Sequence, residues 1–536
     1  MLPFNPFEMK NSLIILSLFL AVLLAGCQKN FLDRNPQDAY SNSSLWSSES
    51  DALAALNGCY SSWDDGYHVL YMDGVSDNVY SQYYWEGYTS LGNGSASPSD
   101  TWISDRWTPS YATVQKCNWF LENVDRTPMD ETLKTRMKAE ARFLRAYQYY
   151  TLTQLYGDVP LVTRTLSQDE ANAVSRTPIA AVQQFVLDEM AAIATDLPVS
   201  YSGNDIGRIT HGAALALKAR LELYTGQFAE CVSTSAKVME LGYSLFPSYQ
   251  DLFRIQHENN GEVILDIQYR ENDYSNGNIG IMPSSTFGGW GSLNPTQALV
   301  DAYEMSNGKR IDDPSSGYDE NEPYKNRDPR LSASIVYPGQ LYEGKYYNPI
   351  ERSSGDYYNG NNNSKTGYLY KKFTSNLSDY PDLWNTGLNM ILIRYAEILL
   401  TYAEAKIETG AIDNSVYEAL DAVRQRAGMP KVDRSVYADQ ATLRELVRRE
   451  RRVELALEGL RWFDIKRWAI GPEVRQGTVY GTRLGTVNPQ NGALTLSGDH
   501  VEAESRTFSD RDYLWPIPRK ETDVNNNLGQ NPGYPN

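Results

Sequence analysis

Apolar side chains recur at helical intervals in several separated blocks of the chain. Phe143, Ala146, Tyr147 and Tyr150 fall at i, i+3, i+4 and i+7, and Tyr395, Ile398, Leu399 and Tyr402 repeat that spacing. Each block predicts an amphipathic helix. Leu217, Leu221 and Tyr224 mark one face, Gly226 interrupts, and Phe228, Val232, Ala236 and Met239 mark another. That order predicts a helix hairpin turning at a glycine. Ala213, Ala214, Ala216 and Ala219 are small enough to let a neighbouring helix approach closely, and Ala396, Ala403 and Ala405 ahead of Gly410 repeat the arrangement.

Between the helical blocks lie stretches rich in Gly, Ser, Asn and Tyr, at 80–106, 271–292 and 312–386. Irregular segments of this length are usually functional or disordered. Their tyrosines argue against simple disorder, which is typically poor in aromatics. The pattern as a whole predicts a mainly α protein carrying long loops.

The first 26 residues have a different pattern: Lys10, an apolar run from Leu13 to Leu24, then Leu24-Ala25-Gly26-Cys27. A basic start, an apolar middle and small residues at the cut make a secretory signal, and the run is short for a membrane span. Cys27 directly after Leu-Ala-Gly resembles the bacterial lipobox, in which the cysteine takes the lipid and becomes the new N-terminus. Several acyl chains on one residue anchor a protein stably. No later segment approaches a spanning length, so the chain is expected to be attached to a membrane through Cys27 without crossing it.

Removing residues 1–26 deletes one acid, Glu8, and one base, Lys10, so the net charge of −18 is unchanged. Such a surface repels nucleic acid and anionic lipid. Cys59, Cys117 and Cys231 are too few and odd in number for a disulfide framework. The four histidines (His68, His211, His257 and His500) show no paired spacing, so no zinc or iron site is expected. His257-Glu258-Asn259-Asn260-Gly261 lacks the second histidine of the metalloprotease pattern. A structural Ca²⁺ in the Asp/Asn-rich loops is not marked by any ordered ligand spacing.

Further segments carry a resemblance that runs nearly end to end. They begin with Cys27 followed by Phe31-Leu32-Asp33 and Pro36, then Ala139 to Tyr147 (AEARFLRAY) and Tyr156 to Leu161 (YGDVPL). Ala214 to Leu221 (ALALKARL), Asp328 to Leu331 (DPRL), Arg394 to Ile398 (RYAEI) and Tyr402 to Ala405 (YAEA) follow. Arg424, Arg426-Ala427-Gly428, Arg451 to Ala456 (RRVELA), Glu458-Gly459, Arg461, Asp464 and Arg467-Trp468 come next. The tail carries Tyr513 to Pro518 (YLWPIP) and Gln530 to Tyr534 (QNPGY).

Together and in this order they resemble the SusD/RagB family of outer-membrane nutrient-binding lipoproteins of Bacteroidetes. The resemblance implies a SusD-like fold, with tetratricopeptide-type helix hairpins dispersed along the chain rather than in tandem, and loops that form the ligand surface. It implies a lipid-anchored place outside the cell, on the outer membrane, capping a SusC-like TonB-dependent transporter. It divides the chain into a signal segment at 1–26, an N-terminal region at 27–240 containing the aromatic loop 80–106, and a C-terminal region at 241–536. That last region is loop-rich over 271–386 and helical over 390–470, and ends in a tail.

Ligand residues vary widely in that family, so candidates are read from the loops themselves. With 38 tyrosines and 11 tryptophans, the chain holds more rings than a helical core requires. A ring offers its face to the C–H face of a sugar while its edge still hydrogen-bonds. The densest group is Tyr80, Tyr83, Tyr84, Trp85, Tyr88 and Trp102, preceded by Asp77 and Asn78, whose polar ends suit hydroxyl pairs. Trp290 stands among glycines in Gly288-Gly289-Trp290-Gly291. The expected ligand residues are therefore Asp77, Asn78, Tyr83, Tyr84, Trp85, Tyr88, Trp102 and Trp290. Tyr346, Tyr347, Tyr357, Tyr358 and Trp384 are weaker candidates, and Trp107 and Tyr111 are expected in the core.

Glu450, Glu454 and Glu458 recur at i+4 among Leu443, Val447 and Leu457, which turns the carboxylates inward. Buried carboxylates need partners, and Arg394, Arg424, Arg426 and Arg461 are available. Carboxylates on one helix face do not straddle a glycosidic bond. Gly92-Asn93-Gly94 lacks the setting of a nucleotide fingerprint, and no nucleophile elbow or P-loop is present. The expected activity is capture of an oligosaccharide, without catalysis or cofactor. The alternatives are peptide capture, as in RagB-like members, and a lid that completes the transporter without binding ligand.

Overall fold

The computed structural model describes residues 46–61 and 63–535; the expected signal segment and Cys27 lie outside them. The longer helices are α1 (Glu49–Tyr60), α2 (Ser104–Asn123), α3 (Glu131–Tyr156), α4 (Ile179–Ile193), α5 (His211–Tyr224), α6 (Phe228–Met239), α7 (Tyr395–Glu408), α8 (Asn414–Arg426) and α9 (Gln440–Glu454). Strands of three residues or more are β1 (Val79–Ser81), β2 (Val263–Ile267), β3 (Leu293–Pro295), β4 (Met390–Arg394), β5 (Gly477–Val487) and β6 (Leu494–Arg506). They pair antiparallel two by two, β1 with β3, β2 with β4 and β5 with β6. The protein is mainly α.

Helix α3 is the centre of the N-terminal half. Asp130 caps its start by accepting from Leu133 N, and Gly157, at φ 76°, ends it. Phe143, Ala146, Tyr147 and Tyr150 are buried as their spacing predicts, and so is every other residue from Ala139 to Tyr156 except Arg142. A helix packed on all sides must satisfy its polar groups internally. Glu140 accepts from Tyr60 Oη at 2.7 Å and Arg208 Nη1 at 3.2 Å, and Arg145 donates to Asn118 and Glu189.

The hairpin predicted around Gly226 is α5–α6, with Gly226 at φ 75°. The second, α7–α8, turns at Gly410, φ 73°. The two hairpins are distant in sequence but adjacent in space, because α6 packs against α7. Ala213, Ala214, Ala216 and Ala219, with Ala396, Ala403 and Ala405, are all buried there. One apolar cluster extends from Trp46 to Leu528 and draws on both regions of the chain.

Glu450 and Glu454 point into this interior from α9, as expected. The helix stops at Glu454, however, where Leu457 takes φ 66°, and Glu458 reaches the same cluster from the following turn. Glu454 pairs with Arg330, Arg394 and Arg426; Glu450 with Arg330 and Arg424; Glu458 with Arg394 and Lys372. Arg330 and Lys372 were not among the expected partners, and Arg461 is engaged elsewhere. Burial opposes charge on Glu454, but its three arginines outweigh it and hold the carboxyl well below the usual carboxylate range.

Cys59, Cys117 and Cys231 are buried free thiols. Among the described residues no helix is long and apolar enough to cross a membrane.

Candidate functional site: an exposed aromatic surface

The short β1–β3 ribbon positions the first part of the site. Its register places Val79 opposite Pro295 and Ser81 opposite Leu293, and Gln82 N extends the pairing to Ser292 O at 2.8 Å. Beyond Gln82 the chain turns outward through a 3₁₀ turn at Tyr84–Glu86. Glu86 anchors this turn by accepting from Ser292 Oγ at 2.7 Å, and its carbonyl accepts from Tyr67 Oη at 2.6 Å. Gly87 closes the turn at φ 94°, and a Cβ there would lie 2.3 Å from Trp102 Cγ. Only glycine meets both the left-handed backbone and the close approach of the indole.

With Glu86 and Gly87 holding the base, the rings of Tyr84 and Trp85 are exposed and that of Tyr83 is half-buried. Tyr83 stacks on Trp85 at 4.5 Å and 21°, and Tyr84 meets Trp85 edge-on at 5.2 Å. Tyr83 Oη donates to Asn362 Oδ1 at 2.7 Å and lies 3.3 Å from Trp290 O, which ties this turn to the glycine-flanked segment that enters the ribbon at the same end.

Trp290 N donates to Gly280 O at 3.0 Å, and its ring sits 4.6 Å from that of Trp384 at 50°. Trp384 in turn lies on Gly280, where a Cβ would be 2.4 Å from Cε2. Tyr84 is 77% exposed, Trp85 51%, Trp290 45% and Trp384 37%. Three segments remote in sequence thus bring five rings together at the surface. Tyr274, 46% exposed, stacks on Tyr269 at 5.2 Å beside the Trp384 segment, to which Asn272 N is bonded through Asn385 Oδ1 at 2.9 Å.

Four of the expected ligand residues are placed differently. Asp77 is buried, its carboxylate held by Arg461 Nε and Nη2 at 2.8 and 3.0 Å and by Arg452 Nη2 at 2.9 Å. Burial alone would raise its pKa, but the two guanidiniums prevail and keep it well below the usual range. Asn78 is wholly buried and accepts from Arg452 Nε at 3.0 Å. Tyr88 is buried against Tyr71 and Trp515, with its Oη 2.9 Å from His68 Nδ1. Trp102 is partly buried and packs over Gly87. Asp77 and Asn78 are thus drawn inward by arginines far along the chain, and Tyr88 and Trp102 support the turn from beneath.

Among the weaker candidates Tyr347 is buried, whereas Trp384 belongs to the surface cluster. Trp107 is buried and Tyr111 packs against the core, as expected. Tyr274 was not singled out in the sequence, though it lies in the predicted loop 271–292.

A cavity of about 540 Å³ lies elsewhere, and none of the segments that carry the rings contributes to its lining. Among the described residues no group of three or more His, Cys, Asp or Glu could hold a metal ion.

Residues 261–534 match the SusD family, and residues 21–223 match a family described as starch-binding associating with outer membrane. A SusD-like protein of Formosa agariphila is 26% identical over 96% of this chain and 98% of its own. The starch-binding protein SusD of Bacteroides thetaiotaomicron is 25% identical over 78% of this chain and 76% of its own. The crystal structure of a SusD-like carbohydrate binding protein from Bacteroides fragilis superposes with a TM-score of 0.80 at 32% identity, covering 90% of this chain and 100% of that one. The chain belongs to the SusD family.

Proposed function

We propose that the protein captures a neutral oligosaccharide on the ring surface of Tyr83, Tyr84, Trp85, Trp290 and Trp384. As a member of the SusD family it is a binding protein and not an enzyme. The observation that carries the proposal is the exposure of Tyr84, Trp85, Trp290 and Trp384 together, with the half-buried Tyr83 stacked among them. Contiguous exposed apolar surface marks an interaction site, and the C–H faces of a pyranose cover such rings while leaving its hydroxyls free for hydrogen bonds. Asn362, whose Oδ1 accepts from Tyr83, and Asn272, bonded to Asn385 beside Trp384, each have a side-chain N–H donor suited to those hydroxyls. The starch-binding name of one relative points the same way.

The ligand then passes to a SusC-like TonB-dependent transporter beneath, and the protein is tethered to the outer membrane through lipid on Cys27. Peptide capture would favour a deep cavity poor in rings, and an open row of indoles and phenols supports glycan instead. The test is affinity electrophoresis of the protein in gels containing a broad panel of neutral glycans. Retardation by at least one supports the reading, and no shift on any glycan together with peptide binding in calorimetry would overturn it.

A further inference from the structure

The β1–β3 ribbon carries the rings at one end. At the other, beside the short helix Gln297–Ala302, opens the cavity of about 540 Å³. Arg448, Arg449, Arg452 and Arg461 line it, with Asp301 and Glu445 exposed at its edge. A further arginine, Arg310, is occupied by its neighbour Asp312. This concentration of guanidinium stands out in a chain of net charge −18.

Three of these arginines are fixed at some nitrogens and unengaged at another. Arg461 gives Nε and Nη2 to Asp77. Arg452 gives Nε to Asn78 and sets Nη2 2.9 Å from Asp77. Arg449 donates from Nε to Glu304 at 2.8 Å and from Nη2 to Tyr437 Oη at 2.9 Å. No partner is present for Nη1 of any of the three among the described residues. One carboxylate, Asp77, serves two guanidiniums, and Glu304 is shared between Arg449 and Arg424. Guanidinium N–H donors are therefore left without a partner in a partly desolvated place, and the oxygens of an anion would satisfy them. Burial already presses the Arg452 guanidinium down to about 10, against the pull of Asp77.

The two kinds of lining group select different parts of one ligand. Guanidinium N–H groups match the planar oxygens of a carboxylate, or those of a sulfate, better than a hydroxyl. Asp301 and Glu445 are in no ion pair among the described residues, and as carboxylates they accept from hydroxyls and repel a second negative charge. A sugar unit with one acidic group satisfies both, and the volume falls in the range of small-molecule sites. We propose that this cavity binds a single sugar residue bearing one carboxylate or one sulfate, at a site separate from the ring surface. The inference does not depend on what the rings bind.

Calorimetric titration of the full mature chain at constant ionic strength, with glucuronate, a monosulfated hexose, inorganic sulfate and glucose, tests it. Saturable binding of at least one acidic sugar, tighter than inorganic sulfate and absent for glucose, is the expected result. Arg449→Gln should weaken that binding roughly tenfold or more, and Trp85→Ala with Trp290→Ala should leave it unchanged. Because Arg449 also holds Glu304, Arg448→Gln is the second variant: its guanidinium lies 4.7 Å over the Trp468 ring and its one carboxylate contact among the described residues, with Glu408, is 3.8 Å long. Weakening in either arginine variant, with a native circular dichroism spectrum, supports the site. Equal binding of inorganic sulfate and sugar acid would make it a free-anion site and overturn the sugar assignment. No binding of any acidic ligand, or binding lost in the tryptophan variant and kept in both arginine variants, would overturn it entirely.

Discussion

Trp290 and Trp384 hold their rings 4.6 Å apart at 50°, although each comes from a different long loop. The contact exists because Gly280 lies between their segments: its carbonyl accepts from Trp290 N, and its missing side chain leaves room for the Trp384 indole. Two indoles this exposed contribute little to the core, so removing one should cost binding and not stability. Trp384→Ala is expected to weaken glycan binding by about 1–2 kcal/mol, in the range of an aromatic hot spot. The melting temperature should stay within a degree or two. Affinity electrophoresis alongside thermal unfolding checks both halves of the statement.

Gly280→Ala probes the same pair without touching a ring. A Cβ at that position would lie 2.4 Å from Trp384 Cε2, so the indole must move. Overpacking of this kind costs about 1–3 kcal/mol, here relieved by the displacement of an exposed ring. The expected outcome is a folded protein whose glycan affinity falls toward that of Trp384→Ala. Unchanged affinity would show that the Trp384 position is immaterial.

The segment that carries Trp384 is fastened below by Asn389, which gives its backbone N–H to Glu258 Oε1 at 2.6 Å. Asp266 accepts from Gln268 Nε2 at 2.8 Å, and neither carboxylate is in an ion pair among the described residues. Burial raises Glu258 to about 7, with Asp266 adding to the rise, and raises Asp266 to about 6. A carboxyl whose folded pKa is raised contributes its stability below the unfolded value near 4, and that contribution is lost as pH rises to the folded value. Stability should therefore fall between about pH 4 and 7 through these two groups. Glu258→Gln should flatten part of that slope and stabilise the protein at pH 7.5 by on the order of 1–2 kcal/mol, after allowance for its partial exposure. Urea unfolding of both proteins at several pH values measures it.

Much of this arrangement was legible in the sequence, and its failures share a cause. Helical spacing located α3, α5–α6 and α7, because apolar periodicity follows directly from burial of a helix face. Ring density in a glycine- and asparagine-rich loop pointed to Tyr83, Tyr84 and Trp85, and flanking glycines to Trp290; of these, Tyr84, Trp85 and Trp290 are exposed. Asp77 and Asn78 lie in the interior, away from the exposed rings, because they are held by Arg452 and Arg461, some 370 residues or more along the chain. Local composition carries no trace of that contact. Trp384 was undervalued for the same reason: alone in its loop it looks like packing, and only the position of Gly280 brings it beside Trp290. Glu454 shows the reverse, since its place between leucines and valines already required arginine partners, even though the sequence did not point to Arg330.

Cys27 lies outside the described residues, and its role rests on the Leu24-Ala25-Gly26-Cys27 pattern. Cys27→Ala should release a folded, ligand-competent protein from the membrane fraction, because the tether and the rings are separate parts of the chain. Fractionation of cells followed by immunoblotting checks it, and a variant that stayed in the outer membrane would contradict lipid anchoring at this residue.

The exposed rings are the proposed ligand surface. The most direct measurement is affinity electrophoresis of the Trp85→Ala, Trp290→Ala, Trp384→Ala triple variant against the glycan that most retards the parent protein. Loss of retardation with an unchanged circular dichroism spectrum is the predicted result. Retardation equal to the parent's would contradict the account and move the binding site away from these rings.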